Sequence, residues 1–228
     1  MNDAKKGRAL GKWGAAHCKT GEGGSSVENI TTVIFDLGRV LVRLNTDGER
    51  FGELMRSVGV EPGQAFRQFW LQGDVHRHMT GELSPQAFYD AARENFGLST
   101  SYESFVEGWC DLFAPMPGME ELFGEVAGRY RVGILSDTDP LHWRAIRAML
   151  PWLAAVERPT LSYEVGYLKP HPEMFAAAAR NCGSAKEECL FIDDLTGNVD
   201  GARYFGMQAL VFNGLEKLRR DLRQVKVL

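Results

Sequence analysis

The segment Thr31-Thr32-Val33-Ile34-Phe35-Asp36-Leu37-Gly38 decides the fold. Thr31 to Phe35 is a β-branched, nearly continuous apolar run, the pattern of a strand buried on both faces, and such strands belong to parallel sheets covered by helices. The run leads directly into Asp36. In sheets of this kind ligands bind at the carboxyl ends of the strands, so the first acidic residue after the run is a candidate for chemistry.

Working outward, similar short strands are predicted at Val132 to Leu135, Cys189 to Ile192 and Ala209 to Phe212, with a weaker one near Thr160 to Ser162. Helical spacing of apolar residues separates them at Pro117 to Gly128, Pro140 to Met149, Pro172 to Cys182 and Gly197 to Phe205, with prolines at first-turn positions. Alternating strands and helices imply a parallel sheet. Between Asn45 and Met116 the strand signal disappears, and Phe51 to Val58, Gly63 to Leu71, Pro85 to Phe96 and Tyr102 to Phe113 read as amphipathic helices. This helical insertion starts just after the first strand, so it would rise from the edge that carries Asp36 and could cover it. Residues 1 to 28 are rich in Gly, Lys and Ser without apolar periodicity and are expected to form a tail with no catalytic role.

The chain has 228 residues, 44% hydrophobic and 25% charged, which is ordinary for a protein with a real core. Its apolar runs fall far short of the roughly 20 residues that cross a bilayer, and no signal-peptide core is evident, so a cytoplasmic location is expected. A net charge of −4 without a dense basic stripe argues against nucleic acid as partner. Cys18, Cys110, Cys182 and Cys189 show neither a CxxC pair nor zinc-ligand spacing, and read as structural thiols in a reducing compartment. A small molecule is the expected partner, and the chain is expected to act as a monomer or weak homodimer.

Three strands end in polar residues: Phe35-Asp36, Leu135-Ser136-Asp137 and Ile192-Asp193-Asp194. Helix capping explains any one of them. It explains all three together poorly, because carboxylates gathered at one sheet edge need cations. Lys169, in the turn Gly166-Tyr167-Leu168-Lys169-Pro170, supplies one beside an expected hard metal ion.

The segments Val33-Ile-Phe-Asp-Leu-Gly-Arg-Val-Leu, Ile134-Leu-Ser-Asp-Thr, Gly166-Tyr-Leu-Lys-Pro and Phe191-Ile-Asp-Asp-Leu-Thr-Gly-Asn resemble the four ordered motifs of the haloacid dehalogenase superfamily, over roughly residues 30 to 214. The DLG form of the first motif and the stretch His76-Arg-His-Met-Thr-Gly-Glu-Leu-Ser resemble bacterial sugar-phosphate phosphatases, notably the α-D-glucose-1-phosphate phosphatases. The resemblance implies an α/β fold, a Rossmann-like core over 29–45 and 116–228 with a helical cap over 46–115. It implies Asp36 as a nucleophile that forms an aspartyl phosphate, and Mg²⁺ held by Asp36, the Gly38 carbonyl and the acidic pair, with Asp194 the direct ligand and Asp193 the alternate. Ser136 would bind a phosphoryl oxygen, and Lys169 would neutralise charge between nucleophile and phosphate.

Phosphatases of this superfamily usually carry a second aspartate two residues beyond the nucleophile, as general acid and base. Here that position is Gly38. An ester with a good leaving group, such as a sugar 1-phosphate, depends least on such an acid. His76 and His78 are substrate-side candidates to replace it, although paired surface histidines near a helix end are more often solvated or capping groups. Asp137 is a further substrate-side candidate, provided its charge pairs with a cation. His171 reads as a helix-start residue. Trp70, Phe88, Phe105 and Trp109 read as cap core, with room for one to line the substrate pocket.

Two rival functions share these residues. A carbon–halogen hydrolase would use the aspartate nucleophile but has no need of the acidic pair. A phosphosugar-binding protein without turnover would account for Gly38 and Asp137, but not for a retained nucleophile.

Overall fold

The computed structural model describes residues 30–44, 49–61, 63–64, 67 and 73–228. Five strands form a parallel sheet in the order β5-β4-β1-β6-β7: β1 (Thr32–Phe35), β4 (Arg131–Ser136), β5 (Thr160–Leu161), β6 (Cys189–Asp193) and β7 (Gln208–Val211). β1 is central. It pairs with β4 on one side (Phe35 opposite Ile134) and with β6 on the other (Phe35 opposite Ile192). After β1 the chain builds β4 and β5 on one side and then crosses to β6 and β7 on the other, and this reversal opens a crevice at the carboxyl end of β1.

Side-chain alternation along β1 feeds two cores. Val33 and Phe35 point into one, packed against α5 (Met119–Ala127) and α10 (Leu215–Gln224) through Phe123 and Leu218. Ile34 points into the other, with Met174 and Phe175 of α8 (Pro172–Cys182) and Val199 and Ala202 of α9 (Thr196–Phe205). All four β1 side chains are fully buried, worth on the order of 2 kcal/mol for each large apolar one. α10 was not predicted, although Leu215, Leu218 and Leu222 carry its helical spacing.

The helical insertion contains α1 (Glu49–Ser57), α2 (Asp74–Met79), α3 (Pro85–Phe96) and α4 (Tyr102–Cys110). Ser84 and Ser101 cap α3 and α4 by accepting from the amides of Ala87 and Ser104, each at 3.2 Å. Phe51, Phe88, Phe105 and Trp109 are completely or almost completely buried and form the insertion's own core, which Leu141 of the sheet domain joins. The helix predicted from Gly63 to Leu71 lies largely outside the described residues, as do the tail and Trp70.

One expectation is corrected. The region from Asn45 to Met116 does contain a strand, β3 (Phe113–Pro115), which pairs antiparallel with β2 (Val42–Leu44). The two strands form a short ribbon where the insertion leaves and rejoins the sheet domain, and this cuts the predicted helix from Tyr102 short at Cys110. Three residues containing a proline give no readable strand period; the pairing arises from tertiary closure. Further along, Gly81 sits at φ +77 against the backbone of Tyr163, where any side chain would collide, so the cap loop touches the sheet domain there. No helix among the described residues is long and apolar enough to cross a membrane.

Candidate active site

The carboxyl ends of β1, β4 and β6 converge as their pairing requires. Asp36 follows β1, and its amide donates to the Ile192 carbonyl at 2.9 Å, so the ladder continues to the residue that carries the chemistry. The backbone then turns tightly. The Leu37 carbonyl accepts from the amides of Leu41 and Val42, and Arg39 takes a left-handed φ of 58. A non-glycine residue in that region costs on the order of 1 kcal/mol, a strain that concentrates at functional loops.

Lys169 lies at the centre of the constellation, almost completely buried. Its ammonium donates to Asp36 Oδ1 at 2.7 Å, to Asp193 Oδ2 at 2.7 Å and to the Leu135 carbonyl at 3.3 Å. Its own amide donates to Asp137 Oδ1 at 3.0 Å. Asp137 thus fastens the lysine loop through a backbone amide while also lining the cavity, and burial raises its carboxyl against the pull of Lys169. Ser162 pins the neighbouring strand end: its hydroxyl donates to the Thr138 carbonyl and accepts from the Thr138 amide, both at 2.9 Å.

The two acidic residues after β6 differ sharply. Asp193 is fully buried and accepts from Lys169, from the Leu195 amide at 2.8 Å, and from the Asn198 side chain at 3.1 and 3.0 Å. Asp194 is partly exposed on the cavity wall, 3.7 Å from the Arg39 guanidinium. Carboxylate oxygens of Asp36, Asp193 and Asp194 all lie within 4.8 Å of one another.

The charges do not balance. Burial is the largest influence on Asp36 and raises its carboxyl; Lys169 pulls it down, Asp193 pushes it up, and the result is about 7. One ammonium serves two carboxylates here, and Asp193 has further donors of its own, so the deficit falls on Asp36. For Lys169 burial opposes the charge, but Asp36, Asp193 and Asp137 outweigh it and hold the ammonium above its ordinary value. Burial and then Asp193 also raise Asp194, against Arg39 and Lys169. Oxygen donors that close, with too few cations, fit a small hard divalent ion.

Ser136 is buried and lines the same cavity as Asp36, Gly38, Lys169 and Asp194. His76 and His78 do not line it. His76 is exposed on α2, and His78 is fully buried, with its Nδ1 2.9 Å from the Leu83 carbonyl and its ring stacked on Phe88. The picture of two surface histidines is therefore corrected for His78, which is held in the seam between cap and sheet domain. His171 does start α8, accepting from the Glu173 amide at 3.3 Å. Of Phe88, Phe105 and Trp109, Trp109 reaches the cavity wall, together with Phe113, whereas Phe88 and Phe105 stay in the cap core.

Several residues around the site were not singled out from the sequence. Asn198 orients Asp193, and Arg39 faces Asp194. Asp139 caps α6 (Pro140–Met149) through the amides of Leu141 and His142, both at 2.9 Å. It also accepts from the Trp109 indole at 3.2 Å and meets His142 Nδ1 at 2.8 Å. The Asp-Pro helix-start signal at 139–140 could have identified the cap, but not its second task of holding a cap-domain tryptophan.

The family model for haloacid dehalogenase-like hydrolases matches residues 30–206. A phosphatase of Mycobacterium tuberculosis is 33% identical over 199 residues, covering 79% of this chain and 86% of the relative. The D-ribitol-5-phosphate phosphatase of Bacteroides thetaiotaomicron is 23% identical over 192 residues, 78% of this chain and 90% of the relative. A haloacid dehalogenase family enzyme of Bacteroides thetaiotaomicron, crystallised with magnesium and inorganic phosphate, superposes with a TM-score of 0.71 at 26% identity, covering 81% of this chain and 95% of that one.

Proposed function

Because the chain belongs to the haloacid dehalogenase-like hydrolase family, we propose that it is a Mg²⁺-dependent phosphatase that hydrolyses small phosphate monoesters through an aspartyl phosphate on Asp36. One observation carries this reading: the buried Lys169 ammonium, 2.7 Å from Asp36, within a cluster of carboxylates that still lacks positive charge. A carbon–halogen hydrolase would not need that surplus of carboxylates. The phosphatases among the relatives, and the magnesium and phosphate in the Bacteroides enzyme, point the same way.

Asp36, the Gly38 carbonyl and Asp194 would hold the ion, and Asp193 would orient Lys169 in place of binding metal directly. When bound, Mg²⁺ supplies charge neutralisation for the phosphoryl oxygens and the nucleophile. The Asp36 carboxylate attacks phosphorus in line, forming the O–P bond as the ester oxygen departs. Lys169 stays beside the attacking oxygen and offsets the charge it shares with the phosphoryl group, and the Ser136 hydroxyl donates to a phosphoryl oxygen. The lysine is held by Asp36, Asp193 and the Leu135 carbonyl before substrate arrives, so it needs little reorganisation. Water then attacks the aspartyl phosphate, releasing inorganic phosphate and restoring Asp36.

Gly38 brings no acid to the leaving oxygen, and His78, fully buried and not on the cavity wall, is poorly placed to replace it. Substrates whose leaving group tolerates negative charge are therefore favoured, the class that includes the sugar 1-phosphates suggested by the DLG motif. The deciding test is a panel of phosphate monoesters assayed with and without Mg²⁺ on wild type and Asp36→Asn. Metal-dependent release of phosphate by wild type alone supports the assignment. Hydrolysis that persists in Asp36→Asn refutes it.

A further inference from the structure

We propose that the chamber beside Asp36 is built for an aromatic alcohol, so that the preferred substrates are aryl phosphates and not phosphorylated sugars. This rests on the phosphatase reading above and narrows it.

The cavity has a volume of about 360 Å³, at the small end of the roughly 300–1,000 Å³ that ligand pockets span. Its polar groups gather at the sheet end, where Arg39, Asp137 and Thr138 join the cluster of Asp36, Ser136, Lys169 and Asp194. Away from that end the described walls are Leu44, Met79, Trp109, Leu112, Phe113 and Ile146, from both the cap and the sheet domain. The polar side chain among these outer walls is His142, and it has nothing to offer a sugar. Its Nδ1 meets Asp139 at 2.8 Å, its Nε2 meets the Trp109 carbonyl at 3.0 Å, and its ring stacks on Trp109 at 4.7 Å between centroids. At the sheet end the Asn198 amide is likewise committed to both oxygens of Asp193.

A sugar carries a hydroxyl on nearly every carbon, and each one left unpaired in such a chamber carries a desolvation penalty. Sites built for hydroxyls pair them; the described outer walls of this one do not. A flat apolar ring would bury its surface against the same walls with no polar loss. The ring surface on offer is that of Phe113, half-buried on the cavity wall, which is backed by His142 and by the almost wholly covered Trp109. An offset or edge-on aromatic neighbour adds to that burial.

Gly38 supports the same class independently. A phenol, with a pKa of about 10 like the tyrosine side chain, leaves as phenolate without a proton from the protein. The P–O bond to the phenolic oxygen breaks as the Asp36–phosphorus bond forms, and water later returns phosphate and free Asp36. No further reactant is needed.

The test must separate apolar fit from leaving-group acidity. Benzyl phosphate and glycerol 3-phosphate, both esters of primary alcohols, are compared by kcat/KM with Mg²⁺, alongside phenyl phosphate and glucose 1-phosphate. Benzyl phosphate should exceed glycerol 3-phosphate by about tenfold or more, and phenyl phosphate should exceed glucose 1-phosphate. Leu44→Ser and Met79→Gln, at partly exposed wall positions, should each lower the benzyl-to-glycerol ratio by about fivefold or more. As a binding measure free of chemistry, phenylphosphonate should bind about tenfold more tightly than methylphosphonate. Equal or better turnover of glycerol or glucose phosphates, with unchanged ratios in both variants, overturns the proposal and leaves the phosphatase reading standing. Failure of wild type to hydrolyse any ester refutes the phosphatase reading instead, and the phosphonate comparison then judges the chamber: equal binding of the two overturns it.

Discussion

The ammonium of Lys169 sits 2.7 Å from Asp36 although the two residues are 133 positions apart, and an equally short bond ties it to Asp193. Two carboxylates thus share one cation inside the protein. Replacing Lys169 by methionine keeps much of the volume but leaves both acids buried without that partner. We expect kcat to fall by about 10² or more, as when a preorganised donor is removed from a transition state, and stability to fall by about 3 kcal/mol. Steady-state kinetics and denaturant unfolding of the same variant check both; a loss of rate without loss of stability would mean that the pair is not strained by removal of the cation.

Asp193 and Asp194 are adjacent in sequence but should fail in different ways. Asp194 faces the cavity, so Asp194→Ala is expected to raise the Mg²⁺ concentration needed for half-maximal rate by about tenfold or more. Asp193 holds Lys169, Asn198 and the Leu195 amide, so Asp193→Ala should lower kcat and melting temperature together. Metal titrations and thermal melts of the two variants distinguish the roles, and identical behaviour would contradict them.

Gly38→Asp asks whether the missing acid can be restored. A Cβ built on Gly38 meets nothing within 4 Å, and the backbone there is not left-handed, so a side chain can be accommodated. In wild type, rates across a series of esters should depend steeply on leaving-group acidity, with a phosphoenzyme burst for good leaving groups. The variant should flatten that dependence by speeding poor leaving groups. If its slope equals that of wild type, residue 38 does not govern protonation.

Acid stability should depend on Asp139. Burial alone would raise its carboxyl, but His142 and His78 outweigh burial and hold it well below the ordinary range. A carboxylate whose folded value is depressed stabilises the protein above its unfolded value near 3.9, and that contribution is lost as pH falls through the folded value. Wild type should therefore lose stability progressively below about pH 4. Asp139→Asn should be less stable at neutral pH by roughly 2 kcal/mol or more, with a flatter profile at low pH. Parallel slopes for the two proteins would show that another group dominates.

The parallel sheet, the helical insertion and the ordered placement of Asp36, Ser136, Lys169 and Asp193-Asp194 were legible in the sequence. Each depends on local signals: buried strands read as short apolar runs, and polar residues at their ends lie in the same short segments. The division of labour between Asp193 and Asp194 is invisible there, because it depends on which carboxylate faces Lys169 and Asn198 and which faces the cavity. The same holds for His78 and His142. Their neighbours in sequence suggest a solvated helix end and an ordinary first helical turn, whereas packing of cap against sheet domain buries both around Asp139. The β2–β3 ribbon pairs Val42 with Pro115, 73 positions away, and three-residue strands have no period to read. The character of the chamber also depends on tertiary packing: Leu44, Met79 and Ile146 carry no signal in the sequence, and closure of the cap brings them to the cavity beside Asp36.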